Sequence, residues 1–399
     1  MINKIILALT LAVSFQASAN LNFSKDFSFK MFKIDQFKQE LSSKVFGQQG
    51  WPESLKSDGR KYALKYTTNH KLEKRIKRLL KKYRSDFASV VVIDNNTGKI
   101  LSAVDYTKKG RKFGISLSFS STNPAASVFK VITAADLVEN TSISKDSLFS
   151  YNGKSSTLYK YQLKKKKNKW TRTIPFKSAF ARSNNVIFGK AAIYNSSASS
   201  LRKTANKFGF NTDLLQIIDT GESQLYNVSN EYALAELASG FNRGTMISPL
   251  HGAVIASVIA NDGILKKPTI LDEIFDSKQD RVVWKPKYIL KRVISKKAAS
   301  QVKSMMINTV KKGTARGAFK PWKMKKLAGI EIGGKTGTIT GGLPYGKRDW
   351  FVSYAKPIDE REGKGISVCV MIVNVKHWYI KSTYLAKKII QYYYNDVKS

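Results

Sequence analysis

Three short motifs in this chain carry the side chains of a serine nucleophile assisted by a lysine base. In chain order they are Ser127-Val-Phe-Lys130, Ser183-Asn-Asn185 and Lys335-Thr-Gly-Thr338. A serine hydroxyl is a weak nucleophile at neutral pH, so a nearby base must accept its proton. Residues i and i+3 lie on the same face of a helix, so the Lys130 amine can approach a serine hydroxyl at the helix start. Together, the three motifs predict a serine acyltransferase site whose base is a lysine.

A lysine acts as a base only if its pKa is lowered, and burial beside a second cation lowers it. The helix predicted after Ser127 is apolar on more than one face, which predicts partial burial of Lys130. Lys335 is the candidate for the second cation. Free N–H groups at the start of the helix would stabilise negative charge on the reacting oxygen.

The first two motifs each have a second copy and a purely structural explanation. Ser200-Leu-Arg-Lys203 also fits the first pattern, and Ser121-Thr-Asn123 fits the second. A capping serine with a surface lysine explains the first pattern, and a turn that ends a helix explains the second. In the functional interpretation, the Ser183 hydroxyl relays a proton and the Asn185 amide binds a peptide backbone.

The third motif, Lys335-Thr-Gly-Thr338, occurs once and lies on a predicted strand after Gly333-Gly334. Gly337 permits close backbone approach, which a substrate lying along the strand would need. The two threonines offer hydroxyls, and the lysine offers positive charge for an anionic group of the substrate. A β-bulge with an exposed lysine is the structural alternative.

The composition predicts a folded but very basic protein. The 399 residues are 42% apolar and 11% aromatic, which argues against a disordered polycation. The chain has 69 basic and 28 acidic residues, for a net charge of +41. Nucleic acid is the first partner that such a charge suggests.

The N-terminal residues change that expectation about partners. Residues 1–19 contain Lys4, an apolar run over 5–15 and the small residues Ala17-Ser-Ala19, which predicts a cleaved secretory signal peptide. We expect a protein of the periplasm or cell envelope that is soluble after cleavage and does not bind nucleic acid. Its cationic surface would then meet anionic envelope polymers, although a lysine-rich solvated surface without a partner explains the charge equally well.

Several other chemistries lack support in the sequence. A single cysteine, Cys369, lies in an apolar run that predicts a buried strand, so no internal disulfide can form. His70, His251 and His377 are scattered without the spacing of metal ligands. No G-x-S-x-G pattern marks a serine–histidine hydrolase. We therefore predict no metal and no cofactor.

The elements that must position the three motifs can be predicted from residue periodicity. The first half of the chain predicts an amphipathic helix over 72–83, a hairpin over 89–104, a helix from Ser127 towards Glu139 and a lysine-rich β-loop over 140–175. The second half predicts a helical stretch over 176–262, a helix over 296–311, strands over 330–340, 350–355 and 365–375, and a helix over 378–397. Strands at both ends around a helical centre indicate an α+β fold, with one antiparallel sheet flanked by helices and an all-helical subregion.

Beyond the three motifs, the chain resembles the transpeptidase domain of the high-molecular-weight penicillin-binding proteins over about residues 57–399. Residues 20–56 form a short lead-in segment before it. The ordered matches are Asp58-Gly-Arg60, Val92-Ile-Asp94 with Thr97-Gly-Lys-Ile-Leu101, Ser248-Pro-Leu250 with Ile259-Ala-Asn-Asp-Gly263, Lys312-Gly-Thr-Ala315 and Asp349-Trp-Phe351. The resemblance implies the penicillin-binding protein transpeptidase or β-lactamase-like fold and the signature of that family's active site.

The resemblance also implies roles for the residues of the first two motifs. Ser127 would be the acylated nucleophile and Lys130 its general base. Ser183 would pass a proton to the leaving amine, and Asn185 would hold the peptide. Ala126 departs from the glycine that the family usually has before the serine, and we expect activity to survive because alanine is small.

For the third motif, the resemblance implies binding of the substrate's end. Lys335, Thr336 and Thr338 would bind the terminal carboxylate of a D-Ala-D-Ala stem peptide, with Gly337 keeping the strand accessible. The backbone N–H groups of Ser127 and Thr338 would form the oxyanion hole.

The function that follows from the resemblance is that of a peptidoglycan D,D-transpeptidase, for which β-lactam antibiotics would be covalent inhibitors. A D,D-carboxypeptidase forms the same acyl-enzyme and differs only in passing it to water. A serine β-lactamase or penicillin sensor is a further alternative, although Asn185 stands where class D enzymes usually have valine. The alternative that is not an enzyme is a module without catalytic activity that binds envelope polymers. The intact polar residues of the three motifs argue against it.

Overall fold

The part of the chain before the first motif begins the central sheet. A computed structural model describes residues 32–46, 51–321 and 324–397; the predicted signal peptide at 1–19 lies outside these residues. The first elements are α1 (Ile34–Phe46), β1 (Ser54–Ser57), β2 (Arg60–Tyr66), α2 (His70–Tyr83), β3 (Phe87–Asp94) and β4 (Ile100–Thr107). The predicted amphipathic helix and hairpin are confirmed as α2 and as β3 paired with β4.

The middle of the chain supplies the helical subregion. Its elements are β5 (Asn123–Pro124), a 3₁₀ helix (Ala126–Phe129), α3 (Lys130–Asn140), β6 (Leu148–Tyr151), β7 (Arg172–Pro175), α4 (Phe176–Ala181), α5 (Asn185–Asn195), α6 (Ala198–Lys207), α7 (Glu231–Ser239), β8 (Met246–Ile247) and α8 (Pro249–Ala260). The helix predicted from Ser127 is correct in position, but its first turn is 3₁₀ and the α-helix begins at Lys130. The lysine-rich segment forms the hairpin β6–β7 with a long connection, as predicted.

The last third of the chain completes the sheet. Its elements are β9 (Ile264–Lys266), β10 (Leu271–Asp276), β11 (Arg281–Trp284), β12 (Leu290–Arg292), α9 (Lys296–Lys311), β13 (Ile330–Gly341), β14 (Gly346–Pro357), β15 (Ile366–Asn374) and α10 (Ser382–Tyr392). The final helix starts four residues later than predicted, because residues 378–381 form an irregular connection. The other predicted strands and the helix over 296–311 are confirmed.

The central sheet is antiparallel and has the strand order β13-β14-β15-β3-β4. Side chains alternate across it, as the two-residue period of a strand requires. On one face, Val368, Val370 and neighbouring residues pack against α2 and α10. On the other face, α8 approaches so closely that a β-carbon on Gly252 would lie 2.8 Å from Cys369 Sγ. Cys369 is a buried core residue, as expected.

Within the described residues, the predicted lead-in segment contains α1 and most of β1. Helix α1 packs near β1, and the Phe37 ring meets the Tyr62 ring edge-on at 5.5 Å between centroids. Strands β1, β2, β10 and β11 form a second, peripheral sheet, and residues Ile34–Ser399 form one compact unit. Among the residues that the structure describes, no helix is both long enough and apolar enough to cross a lipid bilayer.

Candidate active site

The three motifs meet in one cleft between the edge strand β13 and the helical subregion. The cleft has a volume of about 460 Å³. The motif residues that line it are Ser127, Ser183, Asn185, Thr336 and Thr338. The two lysines of the motifs lie beneath its floor and are fully buried. Folding thus brings together residues that are separated by 55 and 152 positions in the chain.

The turn that presents Ser127 is held by its neighbours on both sides. It begins with Ala126, whose φ of +50° lies in the left-handed region that favours glycine. Val128 and Phe129 are buried and anchor the turn in the helical subregion. In a 3₁₀ turn, side chains at i and i+3 are eclipsed, which aligns Ser127 with Lys130.

The Lys130 amine has three polar neighbours and no contact with solvent. It donates hydrogen bonds to Ser127 Oγ at 2.9 Å, to Asn185 Oδ1 at 2.7 Å and to the carbonyl oxygen of Ser239. A neutral amine has two N–H groups, which match the Asn185 and Ser239 oxygens, and one lone pair. The lone pair is then left to accept the proton of the Ser127 hydroxyl.

The electrostatic surroundings favour that neutral amine. Burial lowers the pKa of Lys130 well below its ordinary value, and the charge of Lys335 lowers it further. The predicted role of Lys335 as the second cation therefore agrees with the geometry. The arrangement favours the deprotonated form of a lysine next to a serine hydroxyl.

Lys335 and Ser183 form the second half of the polar centre. The Lys335 amine donates to Ser183 Oγ and to the Thr336 carbonyl oxygen, both at 2.9 Å. Burial lowers the pKa of Lys335 to about 7, so this lysine changes charge near neutral pH. Ser183 has a φ of +57°, and this strained turn directs its hydroxyl into the cleft.

Asn185 occupies the first position of α5 and bridges two parts of the site. Its Oδ1 accepts from Lys130, and its Nδ2 donates to the Ser156 carbonyl oxygen at 2.8 Å. The preceding Asn184 caps α5 by accepting from the Ile187 N–H at 3.0 Å. The structure thus gives Asn185 a contact that positions Lys130, and its predicted contact with a peptide stays a prediction.

The third motif runs along the edge of the sheet. Thr336 Oγ1 lies 2.6 Å from Thr314 Oγ1, and Thr338 is exposed to the cleft. A β-carbon on Gly337 would lie 3.3 Å from the Ala125 carbonyl oxygen and from the Ala126 β-carbon. The close approach that this glycine permits is therefore to the turn that carries Ser127.

Comparison with known proteins identifies the family. A profile of the penicillin binding protein transpeptidase domain matches residues 88–391, which is most of the chain. This chain belongs to the penicillin-binding protein transpeptidase family. It is 24% identical over 269 residues to the peptidoglycan D,D-transpeptidase PbpA of Mycobacterium tuberculosis, and the alignment covers 64% of this chain and 51% of that relative. The chain thus spans about half the length of the first curated relatives that it matches.

Solved structures of penicillin-binding proteins share the fold. The D,D-transpeptidase domain of a peptidoglycan glycosyltransferase from Eggerthella lenta superposes with a TM-score of 0.66 at 22% identity, covering 83% of this chain and 82% of that one. Penicillin-binding protein A of M. tuberculosis, in an imipenem acyl-enzyme complex, superposes with a TM-score of 0.62 at 20% identity, covering 84% and 80%. The predicted α+β fold of this family is confirmed.

The second copies of the family motifs have structural roles elsewhere. Ser200 Oγ donates to the buried carboxylate of Asp136 at 2.6 Å, whereas Lys203 is exposed to solvent. Asn123 Oδ1 accepts from the buried Arg348 at 3.0 Å, below the tip of the β13–β14 hairpin. Tertiary structure therefore separates each motif from its copy.

Three neighbours of the site escaped the sequence analysis. The Ser239 and Ser156 carbonyl oxygens position Lys130 and Asn185, and backbone contacts of this kind leave no pattern in residue types. Thr314, which contacts Thr336, lies in the Lys312-Gly-Thr-Ala315 match, so its position pointed to the site although its contact could not be inferred.

The segment Asp349-Trp-Phe351, which matches the family, lies beneath the site and supports it. The Trp350 indole N–H donates to the Pro124 carbonyl oxygen at 3.0 Å, which fixes the segment that leads into the Ser127 turn. Asp349 pairs with Thr338 in the sheet register, and its carboxylate accepts from the Ser382 N–H at 2.7 Å. The Asp349 carboxylate lies at the start of α10, where the first backbone N–H groups have no acceptor within the helix.

Proposed function

We propose that this protein is a serine D,D-transpeptidase that cross-links peptidoglycan stem peptides through an acyl-enzyme on Ser127. The observation that carries the proposal is the buried Lys130 amine, 2.9 Å from Ser127 Oγ, with its two other partners already supplied. A charged surface lysine could not serve as a base, whereas this one has the lowered pKa that proton abstraction needs.

Acylation would follow from this geometry. Ser127 Oγ attacks the carbonyl carbon of the peptide bond between the two terminal D-alanines, and its proton passes to the Lys130 amine. The N–H groups of Ser127 and Thr338 stabilise the negative charge on the carbonyl oxygen. As the C–N bond breaks, the Ser183 hydroxyl gives its proton to the leaving amine and regains one from Lys335 or Lys130. An acceptor amine then attacks the ester and releases Ser127.

Binding of the donor peptide would use the edge strand. Protonated Lys335 with the Thr336 and Thr338 hydroxyls would hold the terminal carboxylate, since charge-assisted hydrogen bonds of this kind are strong. β13 lies at the edge of the central sheet, so an extended peptide can lie along it. Asn185 would meet the peptide backbone from the opposite side of the cleft. β-Lactams, which form an acyl-enzyme in the M. tuberculosis relative, would acylate Ser127 here.

A labelled penicillin tests the proposal directly. We expect one covalent adduct per chain by intact mass spectrometry, located on Ser127 and absent from Ser127→Ala. Ser200→Ala, which removes the second serine-lysine copy, is the control that should label normally. Rapid release of hydrolysed drug would indicate a β-lactamase, and a folded protein with no adduct would contradict the proposal.

Transfer and hydrolysis differ only in the acceptor. Incubation with a stem peptide ending in D-Ala-D-Ala and an added amino acceptor should give the cross-linked product, which chromatography separates from the hydrolysed peptide. Hydrolysis alone, at any concentration of the amine, would assign a D,D-carboxypeptidase instead.

We also propose that residues 1–19 direct export to the periplasm or cell envelope, with a lead-in at 20–56 and the transpeptidase domain at 57–399. The support is the apolar run with small residues at 17–19. The exported protein should have the mass of a chain that begins at Asn20. A protein that retains Met1 in the cytoplasm would contradict this part of the proposal.

A further inference from the structure

The helical centre of the chain contains a long stretch without any acidic residue. Residues 147–212 contain 14 lysines and arginines and no aspartate or glutamate. The stretch covers the whole β6–β7 hairpin with its connection and helices α4, α5 and α6. Such an imbalance concentrates positive potential on one side of the protein.

Part of this charge lies on a segment whose backbone is fixed by hydrogen bonds. The Lys166 carbonyl oxygen accepts from Asn152 Nδ2 at 3.0 Å, and the Leu163 carbonyl oxygen accepts from Tyr194 Oη at 2.9 Å. These bonds fix the connection between β6 and β7 against the end of α5. The lysines at 164–167 are therefore exposed on an ordered backbone.

A groove of about 390 Å³ runs between this connection and α5. We name it the lysine groove and define it by five of its lining residues, Lys165, Lys166, Lys167, Lys190 and Tyr194. Within the described residues, no ion pair joins these four lysines to a carboxylate. Burial lowers the pKa of Lys190, and the charge of Lys165 lowers it further because the two amines lie near each other.

The Tyr194 ring lies beside these cations, and three more rings of the β6–β7 excursion are exposed to solvent. Lys165 Nζ lies 4.3 Å from the centroid of the Tyr194 ring. Tyr159 and Tyr161 stack in parallel at 5.8 Å, and Trp170 is 73% exposed. A ligand can pack its apolar faces against exposed flat rings. Its anionic substituents can form charge-assisted hydrogen bonds with the ammonium groups. A polymer of ring units with anionic substituents fits both features.

The lysine groove and the catalytic cleft are both bordered by the β6–β7 excursion and α5. The Ser155 carbonyl oxygen accepts from the Asn185 N–H at 2.7 Å, so the β6–β7 excursion forms one wall of the cleft as well. Asn185 begins α5, and Tyr194 follows nine residues later on the same helix. At 1.5 Å per residue, the groove lies about 14 Å from the cleft. One extended polymer can therefore reach both.

We propose that the lysine groove binds the strand of a polyanionic polysaccharide while a peptide end of the wall occupies the cleft. The inference rests on the proposed function only for the identity of the polymer. Its anionic groups would be carboxylates of the peptidoglycan or phosphates of a wall-linked glycan polymer. Single-stranded nucleic acid has similar chemistry, but the position beside a peptide-binding cleft favours the wall polymer.

Co-sedimentation with purified wall sacculi tests this proposal. The triple variant K165Q/K166Q/K167Q should bind sacculi about tenfold more weakly than the wild type at low salt, and with a shallower dependence on salt. Sacculi stripped of phosphate polymers by acid, and sacculi with amidated carboxylates, identify which anion is bound. Loss of binding on either treatment supports the proposal and names the source.

The matched control carries the same charge change on another element. K71Q/K74Q/K81Q removes three exposed lysines from α2 and should bind sacculi like the wild type. Equal losses in both triple variants would show a general effect of charge and overturn the proposal. So would unchanged binding in the first variant, or binding to single-stranded DNA but not to sacculi.

Two further measurements separate this proposal from the proposed function. The groove variant should keep the wild-type rate of penicillin acylation, because its lysines lie outside the cleft. Ser127→Ala should keep sacculus binding. If the wild type forms no penicillin adduct, the proposed function fails, whereas binding at the groove is still measured by sedimentation.

Discussion

At the scale of single residues, the centre of the site is a pair of buried lysines. Both amines are fully buried. Lys130 contacts Ser127, and Lys335 contacts Ser183. The charge of Lys335 disfavours the charged form of Lys130, and burial lowers the pKa of both. The pair can therefore hold one neutral base and one cation within a single cleft.

The pKa of Lys335, about 7, predicts a pH dependence. Below that pH, the amine is charged and attracts a substrate carboxylate, and above it the attraction is lost. For a carboxylate-bearing penicillin, kcat/KM for acylation should fall on the alkaline side, by up to about tenfold per pH unit. Stopped-flow acylation across pH measures this fall.

Lys335→Arg is the control for the origin of the alkaline fall. A guanidinium stays charged over the whole range, so the fall should disappear even if the absolute rate is lower. An alkaline fall of the same midpoint in this variant would assign it to another group.

Ala126 predicts an effect on stability. Its φ of +50° costs an alanine about 1 kcal/mol relative to glycine, so Ala126→Gly should raise the free energy of unfolding by up to about that amount. Ala125 is equally buried but has a φ of −63°, and Ala125→Gly should lower it by about 0.5–1 kcal/mol. Denaturant titration measures the free energy of unfolding of both variants. A fall of equal size in both would contradict the backbone strain at Ala126.

At the scale of elements, the end of α7 supports the Ser127 turn. Gly240 ends this helix with a φ of +64°, and a β-carbon there would overlap the Ala126 carbonyl oxygen. The same helix end provides the Ser239 carbonyl that holds Lys130. The position of the predicted nucleophile and of its base thus depends on one helix terminus.

Gly240→Ala should therefore displace the Ser127 turn. We expect penicillin acylation to slow by about 100-fold or more, because small displacements of reacting groups are costly. The free energy of unfolding should fall by about 2 kcal/mol. Acylation kinetics and denaturant titration measure the two effects.

Gly221→Ala is the matched control. Gly221 has a similar φ of +62°, but a β-carbon there meets no atom within 4 Å. Its substitution should cost only the backbone strain, about 1 kcal/mol, and leave acylation unchanged. If both variants lose acylation to the same extent, loss of stability rather than the overlap is responsible.

At the scale of the whole molecule, the net charge of +41 opposes the folded state. The 28 acidic residues cannot pair with 69 basic ones, so cations repel one another across the surface. The Debye length falls from about 30 Å at 0.01 M salt to about 10 Å at 0.1 M, which screens this repulsion.

Salt should therefore stabilise this protein. We expect Tm to rise by a few degrees between about 0.01 M and about 0.2 M sodium chloride, measured by calorimetry. Sodium acetate should give the same rise, because the effect is screening rather than binding of chloride. A Tm that falls with both salts would indicate that ion pairs outweigh the repulsion.

Much of the fold could be predicted because it follows from local patterns. The apolar runs of β14 and β15, the period of α2 and the boundaries of α9 are visible in the residues themselves. The late start of α10 could not be predicted, because the N–H of Ser382 finds its acceptor in Asp349, 33 residues away. The order of the strands could not be predicted, because it depends on the pairing of β15 with β3, which are far apart in the chain.

The sequence alone determined the residue types, their order and the family that they resemble. The motif pattern alone fits both Ser127 and Ser200, and the ordered flanking matches favoured Ser127. Only the tertiary structure decided the surroundings of the two lysines, with Lys130 in the interior and Lys203 in solvent. The physical reason is that a lysine becomes a base through burial and through a cation 205 positions away, neither of which is a property of its own segment.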